Sequence, residues 1–414
     1  MDLPQPASTT TTANDNFRHL VLDVAFFGLA TPALSRFLSV YAIRLDADAM
    51  LLGWLTALPF IFQMFTSSLA GTWRKRYGDS VGAIYWPGML YRLAFLLPAL
   101  TPFFPREWQP FWLVISVAVP ALPQGIASVL FLVILREGTE TKQLSPLMSR
   151  RSFFYNITVA VGTVGMGILL EEGPFPLSYQ IMYVIAFVLV MVSLLHVNQV
   201  RILSPEPVVT TVTSPWRLLR SPEFQRIAFV AVTSHIAFFT VNALIPLRLV
   251  EDLGADEGFM SIFGLFELLA AALIATQSPR IARKIGTRAA IGVGMLGASL
   301  AALVLALSTN LYMTLPASAL SGASWTLSAI NIFNYFCETS PKENLTRYST
   351  LYNQIVALAL FVAPLAGSKL VNLGMDLTAV LLIGAAMRLV AGLIIPLGDL
   401  KTQTSRMRPR RAAR

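Results

Sequence analysis

The chain has 414 residues, of which 55% are hydrophobic and only 13% are charged, with a net charge of +9. A soluble domain carries about 25% charge, so this composition excludes a soluble globule and a disordered chain and points to a membrane protein. The single cysteine, Cys337, excludes an intramolecular disulfide and a cysteine-based metal cluster, and three scattered histidines argue against a histidine-rich metal site.

Residues 1–19 are polar, rich in Pro and Thr, and lack a cationic start. They read as a cytoplasmic tail without fixed structure rather than a signal peptide. Twelve stretches then reach the length of about 20 apolar residues that a membrane-spanning helix needs. They fall at 20–44, 51–70, 81–101, 110–135, 153–170, 177–197, 227–249, 258–277, 289–308, 311–337, 348–368 and 377–397. Lipid offers the backbone no hydrogen-bond partner, so each stretch must be a helix unless strands close into a barrel. Runs such as Ala289–Leu307 show no barrel-strand alternation. The fold class is therefore an all-α membrane protein with twelve transmembrane helices.

Ionisable side chains at membrane depth are costly and are functional candidates by default. Span 1 carries Asp23, close enough to its polar end to reach water, and Arg36 further in. Span 3 carries Arg92, span 8 Glu267 and span 12 Arg388. Milder polar residues recur at helical spacing, which stacks them on one face. They are Thr56, Pro59, Gln63 and Ser67 on span 2, and Ser321, Ser324, Ser328, Asn331 and Tyr335 on span 10. On span 7, His235, Asn242 and Pro246 share a face, with Phe238 and Phe239 beside it. Most of the serines suit close helix packing, whereas Gln63, Gln124, His235, Asn242 and Asn331 are candidates for lining a cavity. Glycine runs in span 5 (Gly162, Gly165, Gly167) and span 9 (Gly292, Gly294, Gly297) let backbones approach closely.

The longest internal polar stretch, 198–226, holds four prolines and separates spans 1–6 from spans 7–12. Within it, Trp216 to Arg220 reads equally as a short interfacial helix or a solvated linker. The organisation is thus a tail (1–19), a six-helix bundle (20–197), a central loop (198–226), a second six-helix bundle (227–397) and a basic tail (398–414). With both termini and the even-numbered loops in the cytoplasm, only Arg44, Arg106, Arg248 and Lys369 of the 31 lysines and arginines fall on the opposite face. Arg36, Arg92 and Arg388 lie inside spans. This bias sets the orientation and assigns the excess positive charge to the cytoplasmic face rather than to a nucleic-acid partner.

The halves repeat. Leu45-Asp46-Ala47-Asp48 before span 2 matches Leu253-Gly254-Ala255-Asp256 before span 8 at an offset of 208 residues. Lys75-Arg76-Tyr77-Gly78 matches Arg283-Lys284-Ile285-Gly286 at the same offset. Ser145-Pro146 leads to Arg150-x-Ser152-x-x-Tyr155-Asn156, as Ser340-Pro341 leads to Arg347-x-Ser349-x-x-Tyr352-Asn353. Parallel repeats mark one common transporter architecture.

With its six plus six spans and long central loop, the chain resembles the major facilitator superfamily. The family's loop between spans 2 and 3, Gly-x-x-x-Asp-Arg-x-Gly-Arg-Arg, is met here by Gly71, Arg76 and Gly78, while Lys75 stands at the family's Asp. In the second half Lys284, Gly286 and Arg288 fit and Arg283 replaces the Asp. These six are the gating-loop candidates. Gly78 and Gly286 suit a tight turn with positive φ. The resemblance implies two bundles in pseudo-twofold arrangement, spans 1, 4, 7 and 10 lining a central cavity, and spans 3, 6, 9 and 12 at the periphery. Arg36 and Glu267 then become substrate or coupling candidates, and Arg92 and Arg388 structural ones reaching carbonyls or neighbouring helices. For Arg36, binding of an anionic group and a structural pairing both remain open. For Glu267, proton coupling and helix packing do.

No Gly-rich phosphate loop with a lysine and no catalytic or metal constellation is present in the sequence. The expectation is a non-enzymatic, cofactor-free secondary transporter, monomeric in the cell membrane. It would carry a small organic solute by alternating access, with protons as one candidate coupling ion. The alternative is a polytopic receptor, sensor or lipid-handling protein on the same scaffold.

Overall fold

A computed structural model describes residues 7–203, 219–340 and 345–406. Most of the 216–220 segment and all but the first residue of the basic run 406–411 lie outside them. Among the described residues every regular element is helical. Ten helices are long and apolar enough to cross a membrane, or eleven if the bent pair Ser80–Phe95 and Leu97–Phe103 is one span. The stretch expected as span 10 forms a helix of full length, Thr314–Thr339, but its Ser, Thr and Asn content keeps it out of that set.

The first unit comprises Met1–Thr213 and Gly254–Leu265. Its helices are α1 (Ala7–Ser35), α2 (Phe37–Arg44), α3 (Ala49–Ser67), α4 (Ala70–Arg74), α5 (Ser80–Arg92), α6 (Gln109–Glu137), α7 (Thr141–Glu172) and α8 (Leu177–Asn198). Helix α1 starts at Ala7, within the stretch that reads as an unstructured tail. Within that stretch Asn16 is tied down: it is buried, donates to the carbonyls of Gly138 (2.9 Å) and Arg201 (2.7 Å), and accepts from the Arg201 N–H (2.9 Å). Span 3 is not one straight helix. Pro98 and Pro102 cannot donate to an α-ladder, and past Arg92 the chain continues as short 3₁₀ turns bent by 42°.

The second unit comprises Ser214–Leu253 and Phe266–Arg414. It holds α9 (Pro222–Phe239), most of α10 (Glu257–Ile285), α11 (Thr287–Leu307), α12 (Thr314–Thr339), α13 (Leu345–Asn372) and α14 (Leu377–Arg406). The first turns of α10 belong to the first unit. Glycine sets the packing here. A Cβ on Gly292 would collide with the Gly392 carbonyl and Pro396, one on Gly294 with Ser328, and one on Gly297 with Ser324. The serine stripe of α12 therefore serves packing: Ser324, Ser328, Asn331 and Tyr335 are all buried.

The repeat before the second and eighth spans holds at atomic level. Asp46 (φ 62°) and Gly254 (φ 71°) both take the left-handed conformation. Two residues later Asp48 and Asp256 cap α3 and α10, accepting from Leu51 N–H (2.8 Å) and Phe259 N–H (2.7 Å).

In the first unit, Gly125 of α6 lies against the Gln63 carbonyl and Thr66 of α3, where an added Cβ would overlap both. Gly125→Val should wedge these helices apart and destabilise the protein by about 1–3 kcal/mol. A lowered melting temperature in detergent checks this.

Candidate functional site

The first span breaks at Arg36, the residue between α1 and α2, with φ −118° and ψ −57°. Its half-buried guanidinium lies against Gly264 of α10, where a Cβ would sit 2.9 Å from Nε, and over the Phe263 ring at 5.8 Å. Nearby, the start of α10 is gripped by the rest of the first unit. Glu257 accepts a two-pronged bond from Arg44, Nε at 3.0 Å and Nη2 at 2.9 Å, and a third from the Tyr179 hydroxyl at 2.9 Å. The Gly258 N–H donates to Glu171 (2.8 Å). Such charge-assisted forks are the stronger class of hydrogen bond. The sequence carries no signal for this cluster beyond charges near span ends.

The seventh span breaks too. Helix α9 stops at Phe239, a 3₁₀ turn covers Asn242–Leu244, and a π-turn Arg248–Asp252 follows. The face shared by His235 and Asn242 in an unbroken helix is thereby lost, and Asn242 is exposed at the break. His235 is nine-tenths buried. Its Nδ1 lies 2.7 Å from the Ala231 carbonyl, which only accepts, so Nδ1 carries the proton and Nε2 is an acceptor. The ring stacks on Phe239 (6.1 Å) and meets the Trp325 edge (5.2 Å), while Trp325 stacks on Phe238 (4.4 Å).

Gln63 and Gln124 are half-buried on α3 and α6, brought together where Gly125 meets the Gln63 backbone. Glu267 is half-buried, its backbone and Cγ seated against Gly322 of α12. Asn331 is fully buried and donates to Ser278 Oγ (3.0 Å) and the Leu327 carbonyl (2.8 Å), so it joins helices in this conformation.

In the loops, Gly286 has φ 87°, but Gly78 does not use the left-handed region. The second helical turn there is instead started by Asp79, which caps α5 through Gly82 N–H (2.6 Å). Gly71 and Gly78 have open space around them, and Arg76 is exposed over Trp73. The cation that ties this loop down is Arg74, bonded to Ser80 Oγ (2.5 Å) and paired with buried Glu137 at the end of α6. In the second loop Lys284 is exposed, while Arg288 is buried, donating to the Ile395 carbonyl (2.8 Å) and lying over Tyr335.

Arg92 and Arg388 reach carbonyls, as their peripheral placement suggests. Arg92 bonds to Val190 O (2.6 Å), Gly88 O (2.9 Å) and Ser193 Oγ (3.0 Å). Arg388 bonds to Ala237 O, Phe238 O and Ala298 O. Asp23 does not reach water: it is 4% exposed, accepting from Arg151 (3.0 Å) and Ser193 Oγ (2.7 Å).

Helices of this length and polarity define a multi-pass membrane protein. The family model of the Major Facilitator Superfamily matches residues 20–364, and the chain belongs to that family. No curated protein matches it in sequence. Its fold is similar to that of a nucleoside transporter (11% identity, TM-score 0.70, covering 92% of this chain and 98% of that one). It is similar also to a bacterial homologue of the human lysosomal transporter Spinster in its inward-facing, unoccupied conformation (13%, 0.70, 98% and 100%). A D-xylose–proton symporter is a third such structure (14%, 0.70, 92% and 97%).

Removing Asp23 leaves Arg151 and Arg92 without their acid. Asp23→Ala should cost about 3–5 kcal/mol, as when one partner of a buried pair is removed. Thermal unfolding in detergent checks this, and adding Arg151→Ala should recover part of the loss.

Proposed function

We propose that the chain is a secondary transporter that moves a small organic solute across the cell membrane by alternating access of two six-helix bundles, 20–197 and 227–397. Twelve spans place both termini in the cytoplasm. The observation that carries this reading is the pair of helix breaks. At the 208-residue offset of the repeat, Arg36 corresponds to Leu244, so spans 1 and 7 are interrupted at matching positions. At Arg36 the irregularity is a single turn, its N–H still bonded to the Pro32 carbonyl (3.0 Å), while the seventh span passes into 3₁₀ and π turns; irregular helix at corresponding positions of two repeats is a pointer to a transporter's binding site.

In this reading Arg36 binds an anionic or polar group of the solute through its planar fork. His235 Nε2 accepts a hydrogen bond beside Phe239 and Trp325, and Asn242, Gln63, Gln124 and Asn331 supply further polar contacts as the bundles move. Glu267 exchanges a proton and couples transport to a gradient. The loops at Gly71, Arg76, Gly78, Lys284, Gly286 and Arg288 act as gates.

A thermal-shift screen identifies the solute. Glu267→Gln should then abolish accumulation driven by a pH gradient in liposomes while sparing solute exchange. Retained accumulation removes Glu267 from the coupling role. The exposed Cys337 tests the orientation. An impermeant maleimide should label it in inside-out membranes and leave it unlabelled in intact cells; the reverse pattern overturns a cytoplasmic face for this residue.

A further inference from the structure

Two of the three histidines in the chain, 177 residues apart, meet in the first unit. His19 Nδ1 on α1 lies 3.0 Å from His196 Nδ1 on α8. Their rings are tilted by 34°, and Phe26 stacks on His196 at 5.8 Å. Both histidines are half-buried and so retain access to solvent protons. The contact is the upper rung of a two-rung ladder. Four residues along α1 and three residues back along α8 come Asp23 and Ser193, which also meet, at 2.7 Å. Helical spacing stacks His19 with Asp23 and His196 with Ser193.

The chemistry of the upper rung restricts its proton count. An Nδ1···Nδ1 hydrogen bond requires one protonated and one bare nitrogen. With both rings neutral, one is the Nδ1–H tautomer and the other the Nε2–H tautomer. A first added proton goes to the free Nε2 of the donor ring. That ring becomes an imidazolium whose Nδ1–H still donates, now as a charge-assisted and stronger bond. A second proton would have to occupy the accepting Nδ1, which breaks the bond and places two cations against each other.

The charged groups around the rung oppose that second step. Asp23 and Arg18 face it from α1, while Arg92 from α5 and Arg151 from α7 converge on the rung below. Asp15, exposed on α1, stands four residues before His19, so two carboxylates meet three guanidinium groups, and the oxygens of the buried one, Asp23, are already engaged by Ser193 and Arg151.

We propose that His19 and His196 form a one-proton site: the pair takes up a single proton in all, and that proton strengthens the bond that ties the middle of α1 to the end of α8. The site is separate from the transport residues proposed above, and it stands whether or not Glu267 couples transport.

Proton uptake by the purified protein in detergent tests it. Between about pH 8 and pH 5 an independent histidine, with a midpoint near 6.5, becomes almost fully charged. The wild-type pair should take up one proton in that interval. His19→Gln leaves one histidine at the rung, which can take up at most one proton. Removing a histidine should thus leave total uptake unchanged, with His196→Gln behaving alike. A fall of one proton in either variant shows two independent sites and overturns the proposal. Should both variants fail to fold, the wild type labelled with ¹⁵N-histidine gives the same decision. At pH 5 one nitrogen of the pair should keep the shift of a bare imidazole nitrogen; fully protonated rings at both positions overturn the site.

Discussion

In lipid a bare backbone carbonyl has no water to turn to, and this constraint organises the molecule. Buried arginines, in the spans and at their ends, serve that need. Arg92 takes the carbonyls of Gly88 and Val190, Arg151 that of Leu20, Arg288 that of Ile395, and Arg388 those of Ala237, Phe238 and Ala298. A guanidinium has five donors in a fixed fork and remains charged, so one side chain serves several acceptors at once. The Arg388 contacts matter most. Helix α9 ends at Phe239, so the carbonyls of Ala237 and Phe238 lack the next turn's N–H groups, and Arg388 supplies the donors. The guanidinium also lies 4.5 Å from the Phe238 ring centre, which fixes the ring stacked on Trp325.

A helix break in a membrane needs room as well as donors. At the seventh-span break that room comes from glycine on neighbouring helices. An added Cβ on Gly367 would strike the Thr240 carbonyl, and one on Gly384 would strike Val241. The break is thus specified by three elements, α9 and its glycine-bearing neighbours α13 and α14. At Arg36 the neighbour is Gly264, which lets the guanidinium lie flat against α10. Close glycine approach is thus found at both places, while the carbonyl cap by an arginine is found at the seventh-span break.

How much was legible in the sequence follows from which forces are local. Apolar length is local, so the helices and the repeat could be read directly. The Leu-Asp/Gly-Ala-Asp motif even carried its geometry, a left-handed residue followed by a capping aspartate. Arg36 and Glu267 stood out because charge is scarce. Asp23 was misjudged because burial is a tertiary property: its position near a helix end says nothing of Arg151, 128 residues away. The seventh-span break has a local signal in Pro246, which cannot donate to an α-ladder, but its placement just after Phe239 also depends on Arg388 and two glycines far along the chain. Gly78 was given a left-handed turn by analogy with Gly286, although only the second loop needs one.

The same reasoning separates two kinds of charge. Arg92, Arg288 and Arg388 are buried with backbone acceptors around them, so moving them costs the carbonyls their donors. Arg36 and Glu267 are half-buried, each beside a glycine that presents backbone instead of a side chain. A charge held by a fixed cage of carbonyls suits a structural brace. A charge with partial exposure is incompletely desolvated, so exchanging one partner for another costs it less than it costs a fully buried one. The sparse charge of the sequence is therefore divided by depth of burial: Arg92, Arg288 and Arg388 are buried and engaged with backbone carbonyls, whereas Arg36 and Glu267 keep partial exposure.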